Sequence, residues 1–360
     1  MKISKITFSP LKSGVVIVIV KSNYGIEGVG QFIGNSLFSQ KYYFEERLKK
    51  ILINQPINIE KFWNDLYWSG LGKNGWIQVI SAIDIALHDL VSKTKNISLS
   101  QFLKIKHKSE IPLYWSIGHG FKKTIKEMQD KIEIGLNLGF KAFKIRMDWH
   151  ELRQDINPRK DFQMLKAIRS MIPKNFYLGF DANAGYSVKV AISQGKKFED
   201  LGGVDHFEEP IATHNIFGLK EVVNSLDIPV SFGEYEKLAI RFKEILEIAN
   251  PDIIQPDLLN IGGISQMVEL FKIVKNKKIN IMPHSPDIGV LCFASLHLSE
   301  KYGINMPHEF SPELYNYNML EHAKIFNEDI IPINGKIVLD KNIKGIGLTI
   351  NKKELKKQLI

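Results

Sequence analysis

Between residues 111 and 325 the chain keeps returning to one alternation, a short apolar run of strand length followed by an amphipathic stretch of helical length. The runs fall at 112–116, 142–147, 177–181, 206–208, 229–233, 253–255, 279–282 and 304–307. Helical patterns lie between them at 121–138, 161–171, 187–201, 217–224, 237–248 and 264–274. Strands that alternate with helices build parallel sheets, because each helix carries the chain back to the same end of the sheet. Eight such units in about 215 residues predict a (β/α)8-type TIM barrel. The alternative is an open doubly wound sheet, but no glycine-rich phosphate fingerprint follows the first strand. Gly70-Leu-Gly72-Lys73-Asn-Gly75 lacks the Gly-Lys-Ser/Thr ending of a phosphate-binding loop.

The first 110 residues have a different texture. Ile3, Ile6 and Phe8 recur at strand spacing, and Gly14 leads into an unbroken β-branched run through Val20. Residues 40–106 read as helices. The clearest spans 77–93, with Ile80, Ile83, Ala86, Leu87, Leu90 and Val91 on one apolar face. At ~150 residues per domain, 360 residues suggest about two domains. We expect an α+β domain over 1–110 and the barrel over 111–325.

Composition narrows the setting. With 44% hydrophobic and 24% charged residues, disorder is excluded as the main state. Cys292 is the one cysteine, so neither a disulfide framework nor a cysteine-rich zinc site is available, which points to a reducing, cytoplasmic location. The longest apolar run, 15–20, is far short of the ~20 residues of a membrane span. The N-terminus leads into strand-like sequence rather than a signal peptide. The net charge of +9 is scattered apart from small clusters at 47–50 and 352–357, the second being the solvated face of a C-terminal helix. No basic stripe interleaved with aromatics argues for nucleic acid as a partner. A mildly basic surface does suit small anionic substrates.

Polar residues fall in register with the predicted strand ends: Lys144-Ile-Arg146, Asp181-Ala-Asn183, Glu208-Glu209-Pro210, Glu234, Asp257, His284 and His308-Glu309. The steps from Lys144 to Asp181, Glu208, Glu234, Asp257, His284 and Glu309 are 37, 27, 26, 23, 27 and 25 residues, about one βα unit each. In a barrel these positions share one mouth, where active sites sit. Asp181, Glu208 and Glu234 are consecutive carboxylates, which repel unless a cation joins them. Hard oxygen ligands without Cys or His suit Mg2+. Asp257, one unit before His284, can fix the histidine's tautomer and support its charged form, the arrangement of a general base or acid. Lys144 and Arg146, two apart on a strand, face the same side.

Taken together these motifs, with Gly262-Gly263 after Asp257, resemble the enolase superfamily, and within it the mandelate racemase subgroup. The resemblance covers nearly the whole chain. Residues 81–89 resemble the family's capping-domain helix, and Lys344-Gly-Ile-Gly347 resembles the C-terminal stretch that returns to the cap, so that 326–360 would complete it. The resemblance implies a modified barrel under an N-terminal cap, and one Mg2+ per site held by Asp181, Glu208 and Glu234. It implies a first step that removes the proton α to a substrate carboxylate. His284 and Asp257 would form the base, Lys144 would assist on the carboxylate, and Glu309 would be an electrophilic acid with a raised pKa. Asn183 would orient around the metal and contact substrate. A homo-oligomer is expected.

The chain departs from the subgroup at Arg146, where a second lysine commonly serves as a base on the opposite face. A guanidinium is effectively never deprotonated. Racemisation needs two bases, whereas dehydration of a sugar acid to a 2-keto-3-deoxy acid needs one that takes the α-proton and returns it to the departing hydroxyl. The expectation is therefore an acid-sugar dehydratase, with a racemase or epimerase as the alternative. The candidate cap loops are 31–40 and 70–76, with Phe32, Asn35, Phe38, Lys73, Asn74 and Trp76, joined by Trp149 and His150. Asp84 and His88, four apart on an apolar helix, read as packing rather than as a second metal pair.

Overall fold

The computed structural model describes residues 1–33, 47–71, 76–147, 154–302, 306–313 and 319–360. Of the expected cap-loop residues, Asn35, Phe38, Lys73, Asn74, Trp149 and His150 lie outside the described residues.

Strands β1 (Ile3–Pro10), β2 (Val15–Ser22) and β3 (Glu27–Ile33) form an antiparallel meander. The helix Ile77–Thr94 lies directly on β3. Gly28 and Gly30 allow this: a β-carbon on either would sit 2.0 Å from the carbonyl of Ala86 or 1.8 Å from that of Ala82. The helix is apolar almost all round because the sheet covers one side and the barrel helix Gly263–Val274 the other.

The barrel strands are β4 (Glu110–Ile117), β5 (Ala142–Arg146), β6 (Tyr177–Asp181), β7 (His206–Glu208), β8 (Val230–Phe232), β9 (Ile253–Ile254), β10 (Asn280–Ile281) and β11 (His308–Phe310). They pair in parallel in the order β10-β9-β8-β7-β6-β5-β4-β11. A last strand, β12 (Lys336–Val338), adds antiparallel to β4. Among the described residues no ladder joins β10 to β11. Side-chain caps start the crossover helices: Thr124 in a reciprocal box with Glu127, Asn157 ahead of Pro158, then Ser187 and Asn215. Each cap satisfies an amide that would otherwise lack a partner at a helix start.

One strand differs from expectation. The eighth lies at His308–Phe310 rather than ending at Pro307: Met306 and Pro307 precede the strand, 304 and 305 lie outside the described residues, and His308 and Glu309 are strand residues rather than strand-end residues. Its anchor is Phe310, fully buried against Trp115 and Phe140 at ring distances of 6.1 and 6.0 Å. That contact fixes the pairing of Glu309 with Tyr114.

Two buried aspartates wire the cap to its surroundings. Asp84 accepts from the Ser265 amide (2.9 Å) and hydroxyl (2.5 Å) on the barrel helix. His88 lies 3.4 Å from the same carboxylate, a packing pair as expected. Asp89 accepts from the Val29 amide (2.9 Å), the Ile346 amide (2.8 Å) and Lys93 Nζ (2.6 Å). Residues 345–346 thus reach back to the cap sheet and its helix, and Leu99 N donates to Gly345 O at 2.8 Å. The C-terminal helix Lys352–Gln358 keeps its lysines outward and buries Leu355. No described helix is long and apolar enough to cross a membrane.

Candidate active site

Alternate residues of a strand share a face, so each inward-pointing strand end brings a pair to the barrel mouth. The parallel register aligns Arg146 with Asp181 and Asp181 with Glu208. The result is that one oxygen each of Asp181, Glu208 and Glu234 lies within 4.8 Å of the others, all three residues buried. Three of the register positions thus meet at one point.

The oxygens divide into held and orphaned. Glu208 Oε1 accepts from Lys144 Nζ at 2.5 Å, and Oε2 from Gln255 Nε2 at 2.6 Å with His206 Nε2 at 3.2 Å. Asp181 Oδ1 accepts from the Asn183 amide at 2.7 Å. By contrast Asp181 Oδ2 and both oxygens of Glu234 are buried with no hydrogen-bond donor among the described residues. Burial and the neighbouring Glu208 hold the Asp181 carboxyl well above its usual range. Burial raises Glu234 as well, against the pull of His284. In Glu208 the opposite holds, because Lys144 and His206 overcome its burial and keep it ionised. Orphaned carboxylate oxygens aimed at one point, each costly to bury alone, fit a hard divalent cation.

Lys144 is buried and triply engaged. Its ammonium lies 2.5 Å from Glu208, 3.0 Å from Glu309 and 3.8 Å from Asp181, above the Tyr114 ring at 5.4 Å. Those carboxylates outweigh burial and hold its pKa well above the ordinary lysine value. Arg146 is half-buried, and its charge acts on Asp181 and Glu234.

His284 sits between two acids. Nδ1 meets Asp257 Oδ2 at 2.6 Å, and Nε2 lies 3.5 Å from Glu234 Oε2. Asp257 is itself fixed as the cap of the helix Leu258–Ile261, accepting from the Leu259 and Asn260 amides. Burial lowers the histidine, but Glu234, Asp257 and Glu309 push it up to about 10.

One expectation is corrected in detail. Glu309 does not favour the protonated state of a hydrogen-bond-donating acid. Lys144 on Oε1, His284 nearby and the Ser285 amide on Oε2 (3.1 Å) outweigh its burial and hold it below the usual carboxylate range. Asn183 reaches the site through its backbone amide, from a left-handed conformation at φ 47°. Sequence reasoning gave Gln255 no part and found no role for His206. His206 stands two residues before Glu208 on β7, and Gln255 two residues before Asp257 just past the end of β9, the one signal that marks them as inward-facing.

A capped, parallel barrel whose mouth gathers three carboxylates, a lysine and a His–Asp pair is the architecture of the enolase superfamily. Residues 127–354 match the family model described as enolase C-terminal domain-like, and residues 2–103 match that of the mandelate racemase/muconate lactonizing enzyme N-terminal domain. The chain belongs to the mandelate racemase/muconate lactonizing enzyme family of that superfamily. It is 27% identical over 342 residues to the arabinonate dehydratase of Saccharolobus solfataricus, covering 93% of this chain and 88% of that protein. It is 26% identical over 349 residues to the L-Ala-D/L-Glu epimerase of Francisella tularensis subsp. novicida, covering 93% and 91%. A Paracoccus denitrificans mandelate racemase/muconate lactonizing protein, solved in complex with magnesium, superposes with a TM-score of 0.89 at 24% identity, covering 99% of this chain and 96% of that one.

Proposed function

We propose that the protein is an acid-sugar dehydratase that removes the proton α to a substrate carboxylate and eliminates water from the β-carbon. Asp181, Glu208 and Glu234 would hold Mg2+; among the described residues Asp181 Oδ2 and both Glu234 oxygens lack donors, while both Glu208 oxygens already accept hydrogen bonds. When bound, the ion supplies positive charge against the negative charge that develops on the substrate carboxylate.

The protein's own groups divide the remaining work. His284 Nε2 faces the acidic cluster, while Nδ1 is committed to Asp257. A neutral imidazole accepts the α-proton at Nε2, and Asp257 stabilises the imidazolium that forms. Glu234 is the largest influence raising His284, and a cation held by Glu234 would counter it. The α C–H electron pair then forms the Cα–Cβ double bond as the β C–O bond breaks. His284 returns its proton to the departing hydroxyl, and water leaves. The enol product becomes a 2-keto-3-deoxy acid. Lys144 stays an ammonium and places its charge beside the substrate carboxylate, with Glu309 and Glu208 fixing its position.

The observation that carries this reading is the His284–Asp257 pair: Nδ1 is held by Asp257 at 2.6 Å while Nε2 faces the acidic cluster, and Arg146, which is effectively never deprotonated, supplies no second base. The test is a keto-acid assay across aldonic and aldaric acids with Mg2+. Turnover of at least one sugar acid is expected. Deuterium uptake at the α-carbon from heavy water without keto acid would favour an epimerase instead, and inertness toward every acid would count against both.

A further inference from the structure

Gln31 is a fully buried carboxamide in β3, flanked by the buried apolar residues Val29 and Phe32. Its Nε2 donates to Asp287 Oδ2, 256 residues away in sequence. Asp287 is itself buried and lies three residues past His284 on the loop that leaves β10. Further ties of that loop run to the barrel: Ser285 N donates to Glu309 Oε2 at 3.1 Å, Pro286 O accepts from Ser311 N at 3.3 Å, and the Cys292 amide of the helix Val290–Leu296 bonds the Asp287 carboxyl. The Gln31–Asp287 bond is different, because it joins the base's loop to the cap sheet.

The junction has little slack. Gly289, at φ 138°, closes the loop where a β-carbon would meet His322 at 3.1 Å, Phe326 at 3.2 Å and Gln31 Oε1 at 3.3 Å. Asp287 also feels the charges of both Asp257 and His284, and burial with Asp257 pushes it up to about 7. A second buried acid behind the His–Asp pair costs stability, and an apolar pair would fill this seam more cheaply. Neither Gln31 nor Asp287 takes part in the proton transfers described above.

We propose that Gln31 and Asp287 are positioning residues that set the loop carrying His284 by the way the cap sheet docks on the barrel. The catalytic part of this inference rests on His284 being the base, while the coupling of cap to loop does not. A misplaced base of this kind loses rate while the metal ligands stay in place, since catalytic geometry tolerates only about 0.5 Å.

An exchange of donor and acceptor tests it. Gln31→Glu sets two carboxyl groups face to face. Asp287→Asn keeps an acceptor for Gln31. The double variant Gln31→Glu/Asp287→Asn rebuilds the bond with its polarity reversed. Hydrogen–deuterium exchange of the peptide covering 282–289 is measured in full-length protein, together with Mg2+ affinity and turnover of any acid found in the screen. We expect Gln31→Glu to speed exchange at least 10-fold and to lower kcat at least 10-fold, with KM within 3-fold. The double variant is expected to recover both, and Mg2+ affinity is expected to stay within 3-fold throughout. A tie that serves stability alone would lower the melting temperature without splitting kcat from KM. Unchanged exchange in Gln31→Glu, or no recovery in the folded double variant, overturns the proposal. If Gln31→Glu does not fold, Gln31→Met removes the donor at similar volume and is read the same way. Activity surviving in His284→Asn would sink the base assignment and leave the exchange result standing.

Discussion

Gly179 lies directly beneath the imidazole of His206: a β-carbon on the glycine would sit 2.0 Å from His206 Cε1. The two residues stand side by side in the β6–β7 register, and the ring fills the space that the glycine leaves. His206 in turn links Tyr177 OH (2.9 Å) to Glu208 Oε2 (3.2 Å). Gly179→Ala should therefore push the ring away and loosen Glu208. Groups that orient metal ligands are typically worth 10–100-fold in affinity. Calorimetry should show Mg2+ binding weakened about 10-fold, and affinity equal to wild type would refute this link.

His284→Asn keeps a polar side chain next to Asp257 but cannot exchange a proton at neutral pH. A lost general base costs roughly 10²–10⁴-fold in rate. Turnover should fall by that factor while Mg2+ affinity stays within a few fold of wild type. A folded variant with undiminished turnover would show that the base lies elsewhere.

Asp84→Ala should act far from the chemistry. It removes the acceptor for two Ser265 bonds at the seam between cap helix and barrel helix. Buried hydrogen bonds to a charged group are worth about 1.5–3 kcal/mol each. A loss of roughly 3–6 kcal/mol in denaturant unfolding is expected, with Mg2+ affinity retained. A loss below about 0.5 kcal/mol would mean that the seam is held by other contacts.

Asp287 predicts a pH dependence. Its folded-state value, about 7, lies above that of an unfolded aspartate. Between about pH 4 and 7 the folded chain keeps a proton that the unfolded chain releases, so stability falls as pH rises through that window. The full effect is at most roughly 4 kcal/mol. Asp287→Asn removes this loss, and the melting temperature of the variant relative to wild type should climb from about pH 5 to about pH 8. A difference that stays flat with pH would contradict the buried acid.

Much of the site was readable because one βα unit recurs at nearly constant length. That regularity lines up Lys144, Asp181, Glu208, Glu234, Asp257 and His284 without any knowledge of contacts. Glu309 shows where this stops. Its position followed from the period, but its ionisation depends on Lys144 and Ser285 turning toward it, which spacing does not encode. The eighth strand was misplaced for a related reason. The apolar residues before His308 look like a strand, and only the packing of Phe310 on Trp115 fixes the true register. Gln255 and His206 were within reach of an alternation argument. The Gln31–Asp287 bond was not, since nothing local in either segment announces a partner 256 residues away.

The three-way grip of Asp89 has a temporal side. Its partners on β3 and in its own helix emerge from the ribosome close to it, but the Ile346 amide follows 257 residues later. At 5–20 residues per second that is a delay of roughly 13–50 s. Throughout that interval a carboxylate destined for the interior must stay hydrated or borrow another donor. The cap therefore cannot finish its wiring until translation has carried the chain past the barrel.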